Sequence, residues 1–178
     1  MKIAISGKSG CGNSTVSRLV ADRLGYRLVN FTFKNIAAER GTTFEQICDL
    51  AEQDPALDRE LDRRQVEMAR AGDTVLGSRL AVWVLDDADL RVYLHAPPEV
   101  RAARIRQRHV ETGVGSTDAA VVLADTIERD RRDHDRYLRI YGIDNDRYDF
   151  VDLVIETEHL SPEQIADRIV AAARLRDG

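Results

Sequence analysis

The sequence contains only two cysteines, Cys11 and Cys48, and it has no long apolar stretch. Two cysteines form neither a disulfide framework nor a cysteine-based metal cluster. No apolar run approaches the roughly 18 residues that a membrane-spanning helix needs. The chain starts directly on an apolar segment typical of a core strand, so no signal peptide is expected before it. We therefore expect a soluble cytoplasmic protein.

The chain has more acidic than basic residues, so its formal net charge is −5, and 32% of its residues are charged. A mildly acidic chain has no overall electrostatic attraction to nucleic acid or to an anionic membrane surface. We therefore expect neither as a partner, and a local basic site must hold any bound anion. With 178 residues, 43% of them hydrophobic, the chain is long enough for one domain with a real core. The expected organisation is a single domain over residues 1–178.

Short apolar segments alternate with segments of helical period, which predicts an α/β fold. The predicted strands are Lys2–Ser6, Tyr26–Phe31, Thr74–Gly77, Leu90–His95 and Phe150–Ile155. The predicted helices are Ser14–Leu24, Lys34–Arg40, one beginning at Thr43, Asp54–Ala71, Pro97–Arg108, Thr117–Tyr141 and Ser161–Arg174. Such alternation implies a parallel sheet with helices on both faces. The helical segments at about 32–71 and 109–146 are expected to lie over the carboxyl edge of the sheet, where such folds bind ligands.

A glycine-rich loop lies between the first predicted strand and the first predicted helix. Its sequence, GKSGCGNS from Gly7 to Ser14, is one residue away from the phosphate-binding pattern G-x-x-x-x-G-K-[ST]. Glycines let backbone N–H groups point inward at an anion, and the following helix adds its positive N-terminal end. The Ser14 hydroxyl is in the position that binds Mg²⁺ in such loops. The candidate residues for binding the phosphates of ATP are Gly7, Lys8, Ser9, Gly10, Cys11, Gly12, Asn13, Ser14 and Thr15.

The residue that departs from the pattern is Asn13, which replaces the lysine that bridges the β- and γ-phosphates. Lysine is scarce here, since only Lys2, Lys8 and Lys34 occur among 26 basic residues. In one interpretation Lys8 supplies the missing charge, either in its own loop or in the loop of a dimer partner. In a second, the loop binds a nucleotide but catalyses poorly. In a third, the glycines serve only a tight turn. We favour the first interpretation.

Arginines follow one stripe of the long helix near its carboxyl end, at positions 129, 132, 136 and 139. An exposed helix laced with ion pairs has the same appearance. A lid that closes over transferring phosphates also needs several arginines on one face, and closure excludes water. The candidate catalytic residues are therefore Lys8, Arg129, Arg132 and Arg136. Arg63 and Arg79 are candidate ligands of an acceptor phosphate, because guanidinium pairs well with phosphate oxygens.

Several longer motifs resemble the archaeal-type cytidylate kinases. Residues 39–65 read ERGTTFEQICDLAEQDPALDRELDRRQ and are similar to that family's ERG…AEEDPEIDKELDRRQ. Residues 76–83 (LGSRLAVW) resemble its LEGRLAGW, and residues 136–144 (RYLRIYGID) resemble its RYKEIYGID. The segment VDLVIET…SPE near the end also fits. The resemblance follows the chain in order over nearly its whole length.

The resemblance implies a P-loop NTPase fold of the nucleoside-monophosphate-kinase type, with three αβα layers and five parallel strands in the order 2-3-1-4-5. It implies helical NMP-binding and lid inserts, and transfer of the ATP γ-phosphoryl group to CMP or dCMP with Mg²⁺. It also implies that Asp58, Asp62 and Arg63 line the acceptor nucleoside. Lys34 stands where the family has the arginine that grips the acceptor phosphate, and Gly77 replaces a glutamate.

The sequence therefore predicts an ATP-dependent kinase of a nucleoside monophosphate, with small nucleotides as partners and either a monomeric or a dimeric state. Two alternatives stay open. One is a catalytically weak nucleotide-binding protein with a regulatory role. The other is a P-loop kinase of a different small acceptor, because a fold does not fix its substrate.

Overall fold

The computed structural model describes residues 1–177, which form five strands and eight helices. The strands are β1 Lys2–Gly7, β2 Arg27–Val29, β3 Thr74–Gly77, β4 Leu90–His95 and β5 Leu153–Glu156. The helices are α1 Asn13–Leu24, α2 Phe33–Glu39, α3 Phe44–Gln53, α4 Pro55–Ala69, α5 Ala81–Val84, α6 Pro98–Thr112, α7 Ala119–Tyr141 and α8 Pro162–Asp177.

The strands form one parallel sheet in the order β2-β3-β1-β4-β5, as predicted. Ile5 of β1 pairs with Gly77 of β3 and with Val92 of β4. The carboxyl ends of these three central strands therefore reach the same edge of the sheet. The glycine-rich loop follows β1 at this edge, and Arg79 follows β3 there.

Two apolar clusters cover the two faces of the sheet and give the fold its three layers. On one face, Ile3 and Ile5 pack against α1 and α8, where Val16 and Ile169 are fully buried. On the other face, Leu76 packs with residues of α4 and α5. Each buried aliphatic side chain of this size contributes about 1.5–3 kcal/mol to folding. This packing fixes β1 and α1, the two elements that hold the glycine-rich loop.

Helices α2, α3 and α4 share a smaller core of their own, around Phe31, Ile36, Ile47 and Leu57. The helices α2 and α3 each begin with a capping box, at Thr32 and at Thr43. Asp54 caps α4, with Pro55 in the first turn. Beyond the sheet, α7 packs along α6.

The structure differs from the predicted elements at a few ends. The strand β2 stops at Val29 because Phe31 turns into the core of the α2–α4 helices. The strand β5 begins at Leu153 instead of Phe150, whose ring packs edge-on against Trp83. The helix α6 continues to Thr112, beyond its predicted end at Arg108, and the short helix α5 was not predicted. None of the described helices is both long and apolar enough to cross a membrane.

Candidate active site

The glycine-rich loop runs from Gly7, at the end of β1, to Gly12, which precedes α1. Gly10 and Gly12 adopt positive φ angles of 86° and 99°, which side chains with a Cβ rarely accept. The loop thereby turns directly into the helix N-terminus. The free N–H groups of the first helical turn and the helix dipole make this end an anion site.

Asn13 turns its side chain back into the loop. Its Nδ2 donates to the carbonyl oxygen of Gly7 at 2.5 Å, and its Oδ1 is buried without a hydrogen-bond partner. Position 13 therefore closes the loop and presents no positive charge to a bound anion.

Lys8 is the lysine that the structure places beside this loop. Its Nζ lies 2.6 Å from Oδ1 of Asp146 and 3.9 Å from Oδ2 of Asp130. It shares a small enclosed space of about 10 Å³ with Gly7, Arg79, Tyr93, Asp130, Asp133 and Asn145. The Lys8 ammonium and the Arg79 guanidinium thus border one space at the end of the loop.

Two arginines of α6 also hold the loop, and the sequence reasoning missed both. The Arg101 side chain is buried, and it donates to the carbonyl oxygens of Ala96 and Ser9 and to both carboxylate oxygens of Asp130. Arg104 donates to the carbonyl oxygen of Gly10 at 3.4 Å and to Thr157. Because Ser9, Gly10, Asp130 and Thr157 are distant in sequence from these arginines, no local pattern could indicate those contacts.

Cys11 faces the core from within the loop. Burial raises the pKa of its thiol to about 11, an effect larger than the opposing influence of the Arg101 charge. The thiol is therefore protonated at neutral pH, and Cys11 meets a bound phosphate only through its backbone.

Ser14 and Thr15 lie exposed in the first turn of α1. Mg²⁺ in phosphate sites usually takes one or two protein oxygens and completes its shell with phosphate oxygens and water. An exposed Ser14 hydroxyl beside the anion site fits that donor set. The residues present are therefore compatible with Mg²⁺ bound together with a nucleotide.

Gly77, where the resembling family has glutamate, lies against α1. A Cβ at this position would be 2.2 Å from Oγ of Ser17. Because α1 approaches β3 this closely, no larger residue fits at position 77 without moving the helix. The close packing of α1 against β3 thus explains why position 77 is glycine.

A group of predicted acceptor and lid residues meets between α4, α7 and the segment after β3. Arg79 pairs with Asp133 at 3.2 Å, and Arg136 lies 3.5 Å from Asp58. Burial raises the pKa of Asp58, although the nearby Arg136 charge opposes this. One carboxylate oxygen of Asp58 and the Nε of Arg136 are buried without hydrogen-bond partners. These two buried groups therefore keep unused hydrogen-bonding capacity.

Asp62 lies one helical turn beyond Asp58 and accepts a hydrogen bond from the hydroxyl of Tyr141. Burial raises the pKa of Asp62 to about 6, against the lowering effect of that hydrogen bond. Asp62 and Tyr141 line a cleft of about 410 Å³ between α4 and α5, together with Arg63 and Trp83. The cleft therefore combines aromatic, acidic and basic groups.

Four other predicted residues lie at greater exposure. The Lys34 ammonium is 5.7 Å from the centroid of the Phe44 ring. Arg63 pairs with Glu67 at 2.7 Å, and Arg132 lies 3.8 Å from Glu52. The pKa of Arg129 is lowered, mainly by the nearby charge of Arg79.

The structure thus brings together Lys8, Arg79, Arg129 and Arg136, with Asp58 beside them, near the carboxyl edge of the sheet. Within residues 1–177, neither Lys34 nor Arg132 forms a hydrogen bond or ion pair with that group. A cluster of cations around a helix N-terminus can bind several phosphate groups at once and stabilise negative charge that moves between them.

Comparison with known proteins gives consistent results. A model of the cytidylate kinase-like family matches residues 2–159. Cytidylate kinase 2 of Borreliella afzelii is 43% identical over 173 residues, covering 95% of this chain and 94% of the relative. Cytidylate kinase of Pyrococcus horikoshii is 38% identical over 172 residues, covering 96% of this chain and 86% of the relative.

Solved structures with similar folds are more distant in sequence. Shikimate kinase from Acinetobacter baumannii superposes with a TM-score of 0.60 at 19% identity, covering 98% of this chain and 93% of that structure. Deoxyadenosine kinase from M. mycoides with bound dATP gives a TM-score of 0.58 at 17% identity, covering 98% and 100%. At these identities the structures support the shared fold alone.

Proposed function

This chain belongs to the cytidylate kinase-like family, and from that premise we propose that it transfers the γ-phosphoryl group of ATP to CMP or dCMP. The observation that carries the proposal is that Lys8 and Arg79 line one space at the glycine-rich loop, and that Arg136 is joined to them through Asp133. In the reaction, an oxygen of the acceptor phosphate attacks the γ-phosphorus, and the bond to the β–γ bridging oxygen breaks. The products are ADP and the nucleoside diphosphate.

Positioning and charge neutralisation are what this chemistry requires of the protein. The acceptor phosphate is already an anionic nucleophile, so the reaction needs no general base. The loop backbone of Gly7–Thr15 would hold the phosphates of ATP. Arg129 and Arg136, with the exposed Arg132 between them in the stripe, would neutralise the transferring group and keep water away.

Lys8 would supply the charge that Asn13 lacks. Its four-carbon stem lets the ammonium move by several ångströms, and an ammonium has three N–H donors. The contact with Asp146 keeps the ammonium beside its own loop.

The acceptor would lie on the other side of the shared space. Arg79 would bind its phosphate, with Lys34 and Arg63 as further candidate ligands. The nucleoside would extend toward Asp58, Asp62 and the cleft that Trp83 and Tyr141 line. The unpartnered oxygen of Asp58 supports this, because a buried acceptor needs a donor from a ligand.

Ser14 would hold Mg²⁺ when the metal is bound with ATP, and the metal would supply positive charge that offsets the charge of the phosphates. We place the protein in the cytoplasm, where ATP and nucleoside monophosphates occur, with neither nucleic acid nor a membrane as a partner.

A coupled assay with ATP·Mg²⁺ and a panel of CMP, dCMP, UMP and AMP tests the proposal. We expect CMP and dCMP to give the highest kcat/KM. A preference for another acceptor would refute the specificity. ATP binding without turnover of any acceptor would refute the kinase activity and favour a regulatory nucleotide-binding protein.

A further inference from the structure

A flexible lysine that acts from an unusual position must be oriented by something else. The Lys8 side chain is about one-quarter exposed and carries several freely rotating bonds. A lysine at position 13 would start from the rigid first turn of α1, whereas Lys8 starts from the loop itself. The ammonium therefore needs a fixed partner to keep it near the phosphates.

Two carboxylates lie near the Lys8 ammonium, and they differ in their other partners. Asp130 is 3.9 Å away, and both of its oxygens already accept hydrogen bonds from the buried Arg101. Oδ1 of Asp146 is 2.6 Å away, while its Oδ2 lies 3.4 Å from the His134 ring. Asp146 is thus the closer carboxylate, and within residues 1–177 its Oδ1 pairs with Lys8 alone.

The loop that carries Asp146 is itself held firmly. The N–H of Asp146 donates to Asp144 at 3.0 Å, and the buried Asn145 contacts His134 of α7 at 3.1 Å. Two residues after Asp146, the Tyr148 ring stacks on Tyr93 of β4, with centroids 3.9 Å apart. The carboxylate is therefore anchored both to α7 and to the sheet, on either side of the phosphate loop.

We propose that Asp146 is a positioning residue that holds the Lys8 ammonium at the phosphate loop. One ion pair occupies one N–H donor, so two donors stay available for phosphate oxygens. The inference rests on the proposed function, because it assigns Asp146 a role in the same phosphoryl transfer. It predicts that loss of the Asp146 carboxylate lowers turnover while ATP still binds through the loop backbone.

The first arm of the test is kinetic. We expect Asp146→Asn to lower kcat about tenfold with little change in the KM for ATP, because misplacement of a catalytic charge slows chemistry more than binding. Asp146→Glu, which keeps the carboxylate, should recover part of the loss. Asp149→Asn is the matched control, since Asp149 lies exposed in the same loop and makes no ion pair or hydrogen bond within residues 1–177.

Adding Asp146→Asn to Lys8→Met should cause no further loss, because the carboxylate acts through the lysine. Additive losses, or a kcat of Asp146→Asn equal to that of the parent, would overturn the assignment.

The second arm needs no turnover. Only three lysines occur, so lysine labelled with ¹³C at Cε gives a spectrum with three methylene signals. Lys8→Arg and Lys34→Arg variants assign them. A held ammonium gives the two Hε protons of Lys8 different chemical shifts, and we expect these to merge in Asp146→Asn but not in Asp149→Asn.

Unchanged Lys8 signals in Asp146→Asn would refute this inference even if the enzyme is active. An inactive parent protein would instead refute the proposed function, while merged signals would still establish the Asp146–Lys8 contact. The two failures are therefore distinguishable.

Discussion

The usual phosphate loop has a lysine at the position of Asn13, and in this chain Lys8 is the lysine of the same loop. The Asn13 amide donates to the Gly7 carbonyl, and the Lys8 ammonium lies next to Asp146. A neutral amide can fix a backbone but cannot follow charge during phosphoryl transfer. At the scale of the residue, we propose that position 13 supplies shape and position 8 supplies charge.

At the scale of the residue, the titration of Asp62 gives the clearest prediction. Its pKa is raised by burial to about 6, above its value in the unfolded chain. The folded state therefore binds more protons than the unfolded state between about pH 4 and pH 6, and stability falls as the pH rises through that window.

We expect Asp62→Asn to remove this loss of stability at higher pH. The variant should be more stable than the parent by about 2 kcal/mol at pH 7.5, with a much smaller difference at pH 4.5. Urea unfolding at both pH values measures this. A parent protein whose unfolding free energy does not fall between these pH values would contradict the assignment.

The sequence could predict part of the site at this scale. The spacing of glycines with Ser14 indicates a phosphate loop, because backbone geometry depends on local sequence. The contacts of Arg101 and Asp146 could not be predicted, since their partners lie far away along the chain. Lys34 differs from both, because its role as an acceptor-phosphate ligand was expected from a resemblance; its ammonium lies 5.7 Å from the centroid of the Phe44 ring, and the role stays a prediction.

At the scale of the element, α6 and α7 are fixed to the glycine-rich loop by one buried ion pair. Arg101 of α6 bridges the loop carbonyl of Ser9 and the carboxylate of Asp130 on α7. The arginine side chain is 2% exposed, and that of Asp130 is 15% exposed. A buried charge that loses its partner is costly, so this pair determines where α7 lies.

Asp130→Asn should lower the free energy of unfolding by about 3 kcal/mol, because it leaves the buried Arg101 without a counter-charge. Asp135→Asn is the control on the same helix, where the carboxylate pairs with Arg131 in solvent. Urea unfolding of both variants provides the comparison. Equal stability of the two variants would show that the Arg101 pair does not fix α7.

The packing of α1 on β3 is a second determinant at this scale. Gly77→Ala introduces a Cβ that overlaps Ser17, and overpacking of this kind costs about 1–3 kcal/mol. We expect a lower Tm and partial recovery in the double variant with Ser17→Ala. If Gly77→Ala melts at the parent temperature, the close approach of α1 is not what requires glycine.

The starts of helices were the most predictable boundaries, because N-capping residues such as Thr43 and Asp54 act locally. Strand ends were less predictable. Residues near Phe31 and Phe150 are apolar enough for strands, but they pack into clusters beside the sheet. The four residues of α5 are too few for a periodic pattern, so the sequence could not indicate that helix.

At the scale of the whole molecule, the alternation of strands and helices predicts the α/β class, whereas the strand order follows from the resemblance. The phosphate loop and the cleft beside α4 lie on either side of Arg79 and Asp133. A donor and an acceptor can therefore bind to separate regions of one sheet edge.

Trp83, the only tryptophan, reports on the acceptor region because it lines that cleft. We expect its fluorescence to change on titration with CMP and to stay constant on titration with ADP. Trp83→Phe removes the signal as a control. A CMP titration without any change, under conditions where CMP saturates turnover, would show that the nucleoside binds elsewhere.

The central claim is that Lys8 supplies the cationic charge of a working phosphate loop. The most direct measurement is kcat for CMP with ATP·Mg²⁺ in the parent, in Lys8→Met and in Lys8→Met/Asn13→Lys. We expect Lys8→Met to lose about 10²–10³ in kcat, because a charge aimed at the transferring phosphoryl group is gone. The double variant should recover part of the loss through a lysine at the usual position. Full activity of Lys8→Met would contradict the claim.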